Sequence, residues 1–246
     1  MTLTCSTKNA LVALVAIIIS ANTLGQITQG RVVFERRTNL KKTLKGNKRA
    51  EQFITEKNKI RKENFELLFN ESGSSFTYIE PDTPEEGFMK FMTQRNTVHH
   101  DLENDELMVI MNLWGNPAYM KDSITEKTWK ITDRSREFDG YKGIRAIWEM
   151  NDSTRIYAWF CPDIVPSSGP EGFRGLPGLI LGLATEDGSV VYFAKEVEVM
   201  EVTNEQVQYP ETKEDVYSKE DLKALLLDKM GQWIKPEDLD AMFAWY

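Results

Sequence analysis

The chain has 246 residues and two cysteines, and its 38 acidic residues outnumber its 30 basic ones to give a formal net charge of −8. This length is enough to bury one substantial core, and we expect a single domain. If an N-terminal segment is removed, Cys161 is the only remaining cysteine, which excludes an internal disulfide. Such a protein is held together by its core, where a free cysteine is commonly buried.

The N-terminus has the three-part pattern of a secretory signal peptide. Lys8 supplies positive charge, residues 10–19 form an apolar run of ten, and small residues such as Ala21 and Gly25 follow. A membrane span needs about 20 apolar residues. We therefore predict a signal peptide over residues 1–26 and a periplasmic or secreted protein. Cys5 precedes the apolar run, so a lipoprotein is not expected, and no later stretch is apolar enough to span a membrane.

Charge is unevenly spread along the rest of the chain. Between Arg31 and Lys62, twelve basic residues stand against three acidic ones, whereas acidic residues dominate beyond Lys195. A basic stretch can bind nucleic acid or an anionic membrane surface. Export removes most nucleic-acid partners, and residues 39–52 contain no aromatic side chain for stacking. We therefore favour a solvated, charged connection and expect no nucleic-acid partner.

Alternating apolar and polar residues predict a mainly β protein. In residues 141–149, for example, Ile144, Ala146 and Trp148 share one face. No ten-residue helical pattern separates the central segments, which favours an antiparallel sheet. Residues 81–104 have no steady period and are the loosest region. Strands are expected at residues 31–36, 64–69, 75–79, 107–113, 118–122, 128–132, 141–149, 154–160 and 190–202.

The spacing of apolar residues changes from a strand pattern to a helix pattern near the C-terminus. Ser218 can cap a helix over residues 219–233, with Asp221 completing a reciprocal cap. Pro236 is well placed to open a final short helix. We therefore divide residues 27–246 into a single β domain whose residues 204–246 form a helical C-terminal extension.

A segment rich in proline and glycine lies between the strands at 154–160 and 190–202. Proline fixes φ and cannot donate to a ladder, and glycine permits conformations that other residues resist. We predict a rigid, shaped loop that re-enters the core at residues 179–181. The residues concerned are Pro162, Pro166, Pro170, Pro177, Gly169, Gly172, Gly175 and Gly178.

The end of this segment carries a family resemblance. The hexapeptide is formed by Gly175, Leu176, Pro177, Gly178, Leu179 and Ile180. With it, the elements at residues 139–142, 158–164 and 169–174 resemble the GLPGLI family of exported proteins from Gram-negative bacteria, over residues 30 to about 202. Two features depart from the family's pattern. One is Cys161, where the family more often has a small polar residue such as threonine, and the other is the charged insertion at 40–62. The resemblance implies a curved antiparallel sheet or half-barrel, and it implies no activity, catalytic residue or cofactor.

The concave face of such a sheet suggests an exported binding, carrier or scaffolding module. It could hold a small hydrophobic ligand or a segment of an exported or outer-membrane protein. The residues that we select for ligand binding are Tyr157, Trp159 and Arg174. Tyr157 and Trp159 lie on the face of their strand opposite Ile156 and Ala158, so core packing is an alternative, and a buried corner is the alternative for the hexapeptide.

Two further hypotheses about function have less support in the sequence. Copper could be bound by methionines spaced three apart and by two adjacent histidines, although adjacent residues of a strand point apart. An enzyme could pair the Cys161 thiol with an imidazole, but sequence motifs for catalysis are missing. We expect no enzyme activity, no cofactor and no metal. The copper hypothesis rests on Met89, Met92, Met108, Met111, His99 and His100.

Overall fold

A computed structural model describes residues 25–83, 91–113, 115–151, 154–232 and 234–246. Nearly all of the predicted signal peptide, and Met89, lie outside these residues. In the described residues no helix combines the length and the apolar character needed to cross a membrane. The strands are β1 Gly30–Asn39, β2 Ile60–Phe69, β3 Gly73–Ile79, β4 Thr97–Asp101, β5 Glu106–Leu113, β6 Asn116–Ser123, β7 Trp129–Phe138, β8 Tyr141–Asn151, β9 Thr154–Cys161, β10 Leu179–Thr185, β11 Val190–Glu198 and β12 Val216–Tyr217. The helices are α1 Leu40–Thr43, α2 Lys48–Glu51, α3 Asn204–Val207, α4 Lys219–Met230 and α5 Pro236–Phe243.

The twelve strands form one sheet in the order β12-β6-β5-β4-β3-β2-β1-β11-β10-β9-β8-β7. Neighbouring strands are antiparallel except for the short β12, which runs parallel to β6. The expected mainly β, antiparallel architecture is confirmed. The sheet is open, since its two edge strands do not pair with each other in the residues that the structure describes.

The C-terminal segment shows that this sheet is curved. Helix α4 packs against β6, the second strand from one edge. Trp148 and Met150 of β8, the second strand from the other edge, line a cleft together with Asp240 of α5. Because neighbouring strands lie about 4.8 Å apart, a flat sheet of this size could not bring both ends against one short helical segment. The sheet therefore bends around the C-terminal helices, as a half-barrel does.

The inner face of the sheet carries the core. Every second residue of β1 and β2 is buried, including Phe34 and Phe65. The ring of Phe65 stacks on that of Phe76 at 5.0 Å, and Tyr192 meets Phe65 edge-on at 5.9 Å. Such pairs add to the burial energy of each ring, which is about 1.5–3 kcal/mol for a large apolar side chain.

The C-terminal segment belongs to this same core. The Ser218 hydroxyl accepts a hydrogen bond from the Asp221 amide at 3.1 Å, which confirms Ser218 as the cap. The Asp221 carboxylate accepts from that same hydroxyl at 2.7 Å, whereas the expected reciprocal cap uses the Ser218 backbone amide. Helix α4 buries Leu222 and Leu226, and α5 buries Phe243. The residues that the sequence sets apart as an extension therefore fill the concave side of the sheet.

Several elements differ from the sequence predictions, and β1, β2 and β7 each extend beyond the predicted range by several residues. Strand β4 lies inside the region 81–104 that was expected to be loose. Strand β11 ends at Glu198 instead of residue 202, and Val199 is exposed. Helix α4 ends at Met230 instead of residue 233, and Gly231 is its C-cap, with its amide donating to the Leu227 carbonyl oxygen at 2.8 Å.

Candidate binding site

The proline–glycine loop, residues 162–178, leaves β9 and returns into β10 on the inner side of the sheet. Gly178 has φ +139° and lies so close to the chain that a Cβ would be 2.1 Å from the Cys161 carbonyl oxygen. The amide of Leu179 donates to the Ile164 carbonyl oxygen at 2.9 Å. Leu176, Leu179 and Ile180 are buried. The hexapeptide is therefore a corner of the backbone whose leucine and isoleucine side chains are buried, while Pro177 is exposed.

One residue of this loop, Glu171, is buried in a polar network beneath the C-terminus. Its carboxylate accepts hydrogen bonds from the hydroxyls of Tyr192 at 2.5 Å and Tyr246 at 2.8 Å. The side-chain amide of Asn96 donates to the same Tyr246 hydroxyl at 2.8 Å. Burial, and then the charge of Glu171, raise the pKa of Tyr246 well above its ordinary value. These contacts fix the last residue of the chain inside the sheet.

The network continues through an ion pair between neighbouring strands. Arg36 of β1 donates to the Tyr192 hydroxyl at 3.1 Å and to the carboxylate of Glu63, in β2, at 2.7 Å. Glu63 also accepts from Thr93 at 2.9 Å and from Arg95 at 2.8 Å. Burial opposes ionisation of Glu63, but Arg36 and its neighbours lower the pKa of Glu63 to about 2. We call Arg36, Glu63, Glu171, Tyr192 and Tyr246 the buried network.

A second loop residue, Arg174, faces the other half of the sheet. Its guanidinium donates to Nε2 of His100 in β4 at 2.7 Å and forms an ion pair with Asp105. Its carbonyl oxygen accepts from Nε1 of Trp129 at 2.8 Å. Burial, and then the positive charge of Arg174, lower the pKa of His100 to about 4. Arg174 is thus engaged by the protein itself, and its role is to dock the loop on β4.

A cleft of about 610 Å³ opens beside this loop, between the end of β8 and the C-terminal helices. The residues come from four separate parts of the chain. The cleft is lined by Thr125, Lys127, Trp148, Met150, Asn151, Thr154, Lys219, Asp240, Ala241, Ala244 and Tyr246. Tyr246 belongs to the lining as well as to the buried network, so this residue lies between the two.

The charge of this cleft is positive and poorly compensated. The ammonium of Lys127 lies 5.3 Å from the centroid of the Trp148 ring and 4.9 Å from that of Phe173. In the described part of the chain it has no ion pair. Burial, followed by the nearby charges of Lys219 and Arg174, lowers the pKa of Lys127 to about 8. We call Lys127, Trp148 and Lys219 the lysine–tryptophan cleft.

The other charges at the cleft are occupied. The ammonium of Lys219 donates to the Tyr246 carbonyl oxygen at 2.6 Å, and burial followed by Lys223 lowers the pKa of Lys219. Asp240, the acidic residue of the lining, pairs with Lys223 at 2.8 Å. The cleft therefore offers cationic and aromatic groups to a ligand, and its one acidic side chain, Asp240, already has a partner.

The structure does not bring the three selected ligand-binding residues together. Tyr157 and Trp159 lie on the outer face of β9, opposite the buried Ile156 and Ala158. The Tyr157 hydroxyl donates to Glu186 at 3.1 Å, and the Trp159 ring packs 6.4 Å from Phe138. Both aromatics are therefore separated by the sheet from the loop that carries Arg174.

The residues of the copper hypothesis also diverge. Nδ1 of His99 faces the Val207 carbonyl oxygen at 3.2 Å, which requires that Nδ1 carry the proton, whereas His100 accepts from Arg174. Met108 and Met111 are buried in the core. Among the described residues, no group of three histidine, cysteine, aspartate or glutamate side chains could hold a metal ion.

Cys161 lies in the core, as the sequence led us to expect for a free thiol. Burial raises the pKa of its thiol, which disfavours the reactive thiolate. The two histidines instead contact Val207 and Arg174. Neither contact orients an imidazole toward this thiol.

With this geometry, the protein is of the class of open, curved β-sheet proteins whose concave face is filled by their own loop and C-terminal helices. Residues 102–182 match the family described as "Protein of unknown function (Porph_ging)". That region runs from the end of β4 into β10 and includes the proline–glycine loop and the hexapeptide. No curated protein matches the chain.

Solved structures share the fold. PNGF-II in a P21 crystal form aligns with a TM-score of 0.52 at 15% identity, over 77% of this chain and 31% of PNGF-II. In a C2 crystal form it aligns with a TM-score of 0.54 at 14% identity, over 84% of this chain and 34% of PNGF-II. The chain thus spans about a third of the length of PNGF-II. At these identities the likeness concerns the fold alone.

Proposed function

We propose that this protein is an exported binding module without catalytic function of its own, and that the lysine–tryptophan cleft takes a small anionic ligand with an apolar or aromatic part. The observation that carries the proposal is Lys127, a half-buried ammonium that faces two aromatic rings and two further cations without a carboxylate partner in the described residues. Gathering like charges costs free energy, and a bound anion would offset that cost.

The chemistry of the lining selects the ligand class. Trp148 and Met150 provide apolar surface, and Lys127 and Lys219 provide positive charge. A carboxylate, sulfonate or phosphate attached to a flat or apolar group satisfies both features, because its charge meets the ammonium groups while its body covers the ring. A cationic ligand would add to the repulsion.

The interior of the sheet also supports binding at the cleft. The concave face, which could have held a hydrophobic ligand, is occupied by Phe173, Phe243 and Tyr246 of the chain itself. A carrier that encloses its ligand within the sheet would have to expel these residues from the core. Binding at the open cleft requires no such rearrangement, so the proposal places the ligand there.

We also propose that the protein belongs to the GLPGLI family and reaches the periplasm or the exterior through its N-terminal signal. The hexapeptide at residues 175–180 and the pattern of charge, apolar run and small residues over 1–26 support this proposal. A cell-fractionation experiment that recovers the protein, cleaved near Gly25, outside the cytoplasm would bear it out. Recovery of the uncleaved chain in the cytoplasm would refute it.

The cleft is tested with three ligands of one shape. Naphthoate, naphthylmethanol and naphthylmethylamine carry a negative charge, no charge and a positive charge on the same ring system. We expect calorimetry to detect naphthoate binding, weaker binding of the alcohol and no binding of the amine. Lys127→Met should weaken naphthoate binding at least about tenfold, the effect of losing one charge-assisted contact.

The matched control is Lys130→Met. Lys130 lies three residues further along the chain, is exposed and does not line the cleft. This variant should bind naphthoate as the unchanged protein does. Equal binding of all three ligands, or an equal loss in both variants, would overturn the assignment of the cleft.

A further inference from the structure

A second surface, separate from the lysine–tryptophan cleft, has a composition unlike the rest of the molecule. Residues 40–62, which we call the basic lobe, contain nine basic residues and two acidic ones, although the whole chain has a formal net charge of −8. The lobe comprises α1, α2, the turns after them and the start of β2. A concentration of positive charge on an acidic protein gives that protein a preferred orientation toward anionic surfaces.

Part of the positive charge is free to act. Glu56 pairs with Lys41 and, at 2.5 Å, with Lys59, so these charges are compensated. Lys45, Lys48 and Lys57 are exposed, and none forms an ion pair with a residue that the structure describes. The lobe therefore presents at least three uncompensated lysines to solvent.

Large apolar side chains of the lobe and its flank are exposed as well. Phe53 is 49% exposed and Ile60 is 42% exposed, and Phe91, which flanks the lobe, is 43% exposed. The Asn58 side chain donates to the Phe53 carbonyl oxygen at 2.9 Å, which holds Phe53 next to the turn that carries Lys57. Exposed aromatic and aliphatic groups set among lysines are typical of surfaces that enter the boundary between lipid headgroups and acyl chains.

The lobe is an ordered structure, which distinguishes it from a solvated connection. It has a small core of its own, formed by Leu40, Ala50 and Met92 with Leu44 and Ile54 packed against it. The side chains of Asn39 and Asn47 cap α1 and α2. This core holds the lobe in a fixed shape, in which Phe53 is 49% exposed.

We propose that the basic lobe attaches the protein to an anionic lipid surface. The lysines supply attraction to phosphate headgroups, Phe53 and Ile60 supply apolar contact, and the acidic remainder of the protein is repelled and turned away from the lipid. Nucleic acid is the poorer partner, because Phe53 is the single aromatic residue among the 23 of the lobe and bases require stacking platforms.

The test is flotation of the protein, purified in the form in which cells accumulate it, with vesicles. We expect binding to vesicles that contain phosphatidylglycerol, little binding to pure phosphatidylcholine, and release by high salt. The triple variant Lys45→Glu, Lys48→Glu, Lys57→Glu should bind phosphatidylglycerol vesicles at least about 100-fold more weakly, since three attractive charges become repulsive. Phe53→Ser should weaken binding about threefold to tenfold at unchanged charge.

The control reverses three exposed lysines elsewhere, at Lys130, Lys142 and Lys213. This control changes the net charge by the same amount as the lobe variant and has the same N-terminus. It should keep most of the vesicle binding. The proposal is overturned if the control loses as much binding as the lobe variant, or if Phe53→Ser binds as the unchanged protein does. It is also overturned if duplex oligonucleotide or a second copy of the chain, rather than lipid, is bound through these lysines at the same ionic strength.

Discussion

The buried network and the lysine–tryptophan cleft lie on the two sides of Tyr246, and both are rich in charge. In the buried network each charge has a partner: Glu63 accepts from Arg36 at 2.7 Å, and Glu171 accepts from two tyrosines. In the cleft, Lys127 faces aromatic rings and other cations. The first region is closed by the C-terminus, while the second is open to solvent.

This difference indicates that charges in the buried network stabilise the fold, whereas the charge of the cleft is available to a ligand. Removing charges from water is costly unless they are paired and hydrogen-bonded, so the partners in the buried network satisfy the requirement of the fold itself. The cleft leaves that requirement unmet, and a ligand can meet it. The proline–glycine loop links the two regions, because it provides Glu171 to one and docks beside the other through Arg174.

The largest effect should come from breaking the buried network. Glu63→Gln leaves Arg36 buried with one anionic partner fewer, which typically costs about 3–5 kcal/mol of unfolding free energy. Urea denaturation measures this. Glu66→Gln is the control on the same strand: its partner Arg31 lies in a partly exposed pair on the outer face, and the loss should stay below about 1 kcal/mol. Similar losses for both variants would contradict the structural role assigned to the network.

Part of this network could be seen in the sequence. Alternation in β1 places Arg36 on the same face as Val32 and Phe34, and alternation in β2 places Glu63 with Phe65. The two charged residues are also direct partners across the strands. A charged residue in register with an apolar face predicts a buried pair, although it does not show that Tyr246 completes the network from the far end of the chain.

Strand β4 and the cleft illustrate what the sequence could not show. Val98, His99 and His100 are all buried, because β4 is covered on both faces by neighbouring segments, and a strand with two buried faces loses the alternation that identifies it. Lys127, Trp148 and Lys219 come from distant parts of the chain. Only the curvature of the sheet brings them together, and no local pattern records it.

The loop that serves both regions gives the second prediction. Gly178→Ala places a methyl group against the Cys161 carbonyl oxygen, at a φ that only glycine adopts easily, and should cost at least about 2 kcal/mol. Gly188→Ala is the control, since φ there is +66° and no atom lies within 4 Å of the new group. It should cost about 1 kcal/mol. Thermal unfolding compares the two, and naphthoate calorimetry shows whether displacement of the loop also disturbs the cleft. Equal stability of both variants would mean that the corner at the hexapeptide yields to a side chain.

The smallest expected effect is the pH dependence of naphthoate binding in the cleft. It tests most directly whether the cleft, unlike the buried network, has an uncompensated charge. The pKa of Lys127 is lowered to about 8, so its ammonium is mostly protonated at neutral pH and loses its proton as the pH rises through that value. Naphthoate affinity should therefore fall up to about tenfold between about pH 7 and pH 9, where roughly a tenth of the ammonium form remains. The Lys219 ammonium also has a lowered pKa, so the decrease is repeated in Lys219→Met to isolate Lys127. Lys127→Arg keeps its charge over this range and should remove the pH dependence while retaining affinity. A decrease of the same size in Lys127→Arg would show that the titrating charge lies elsewhere, and the cleft would then resemble the buried network in having its charges already satisfied.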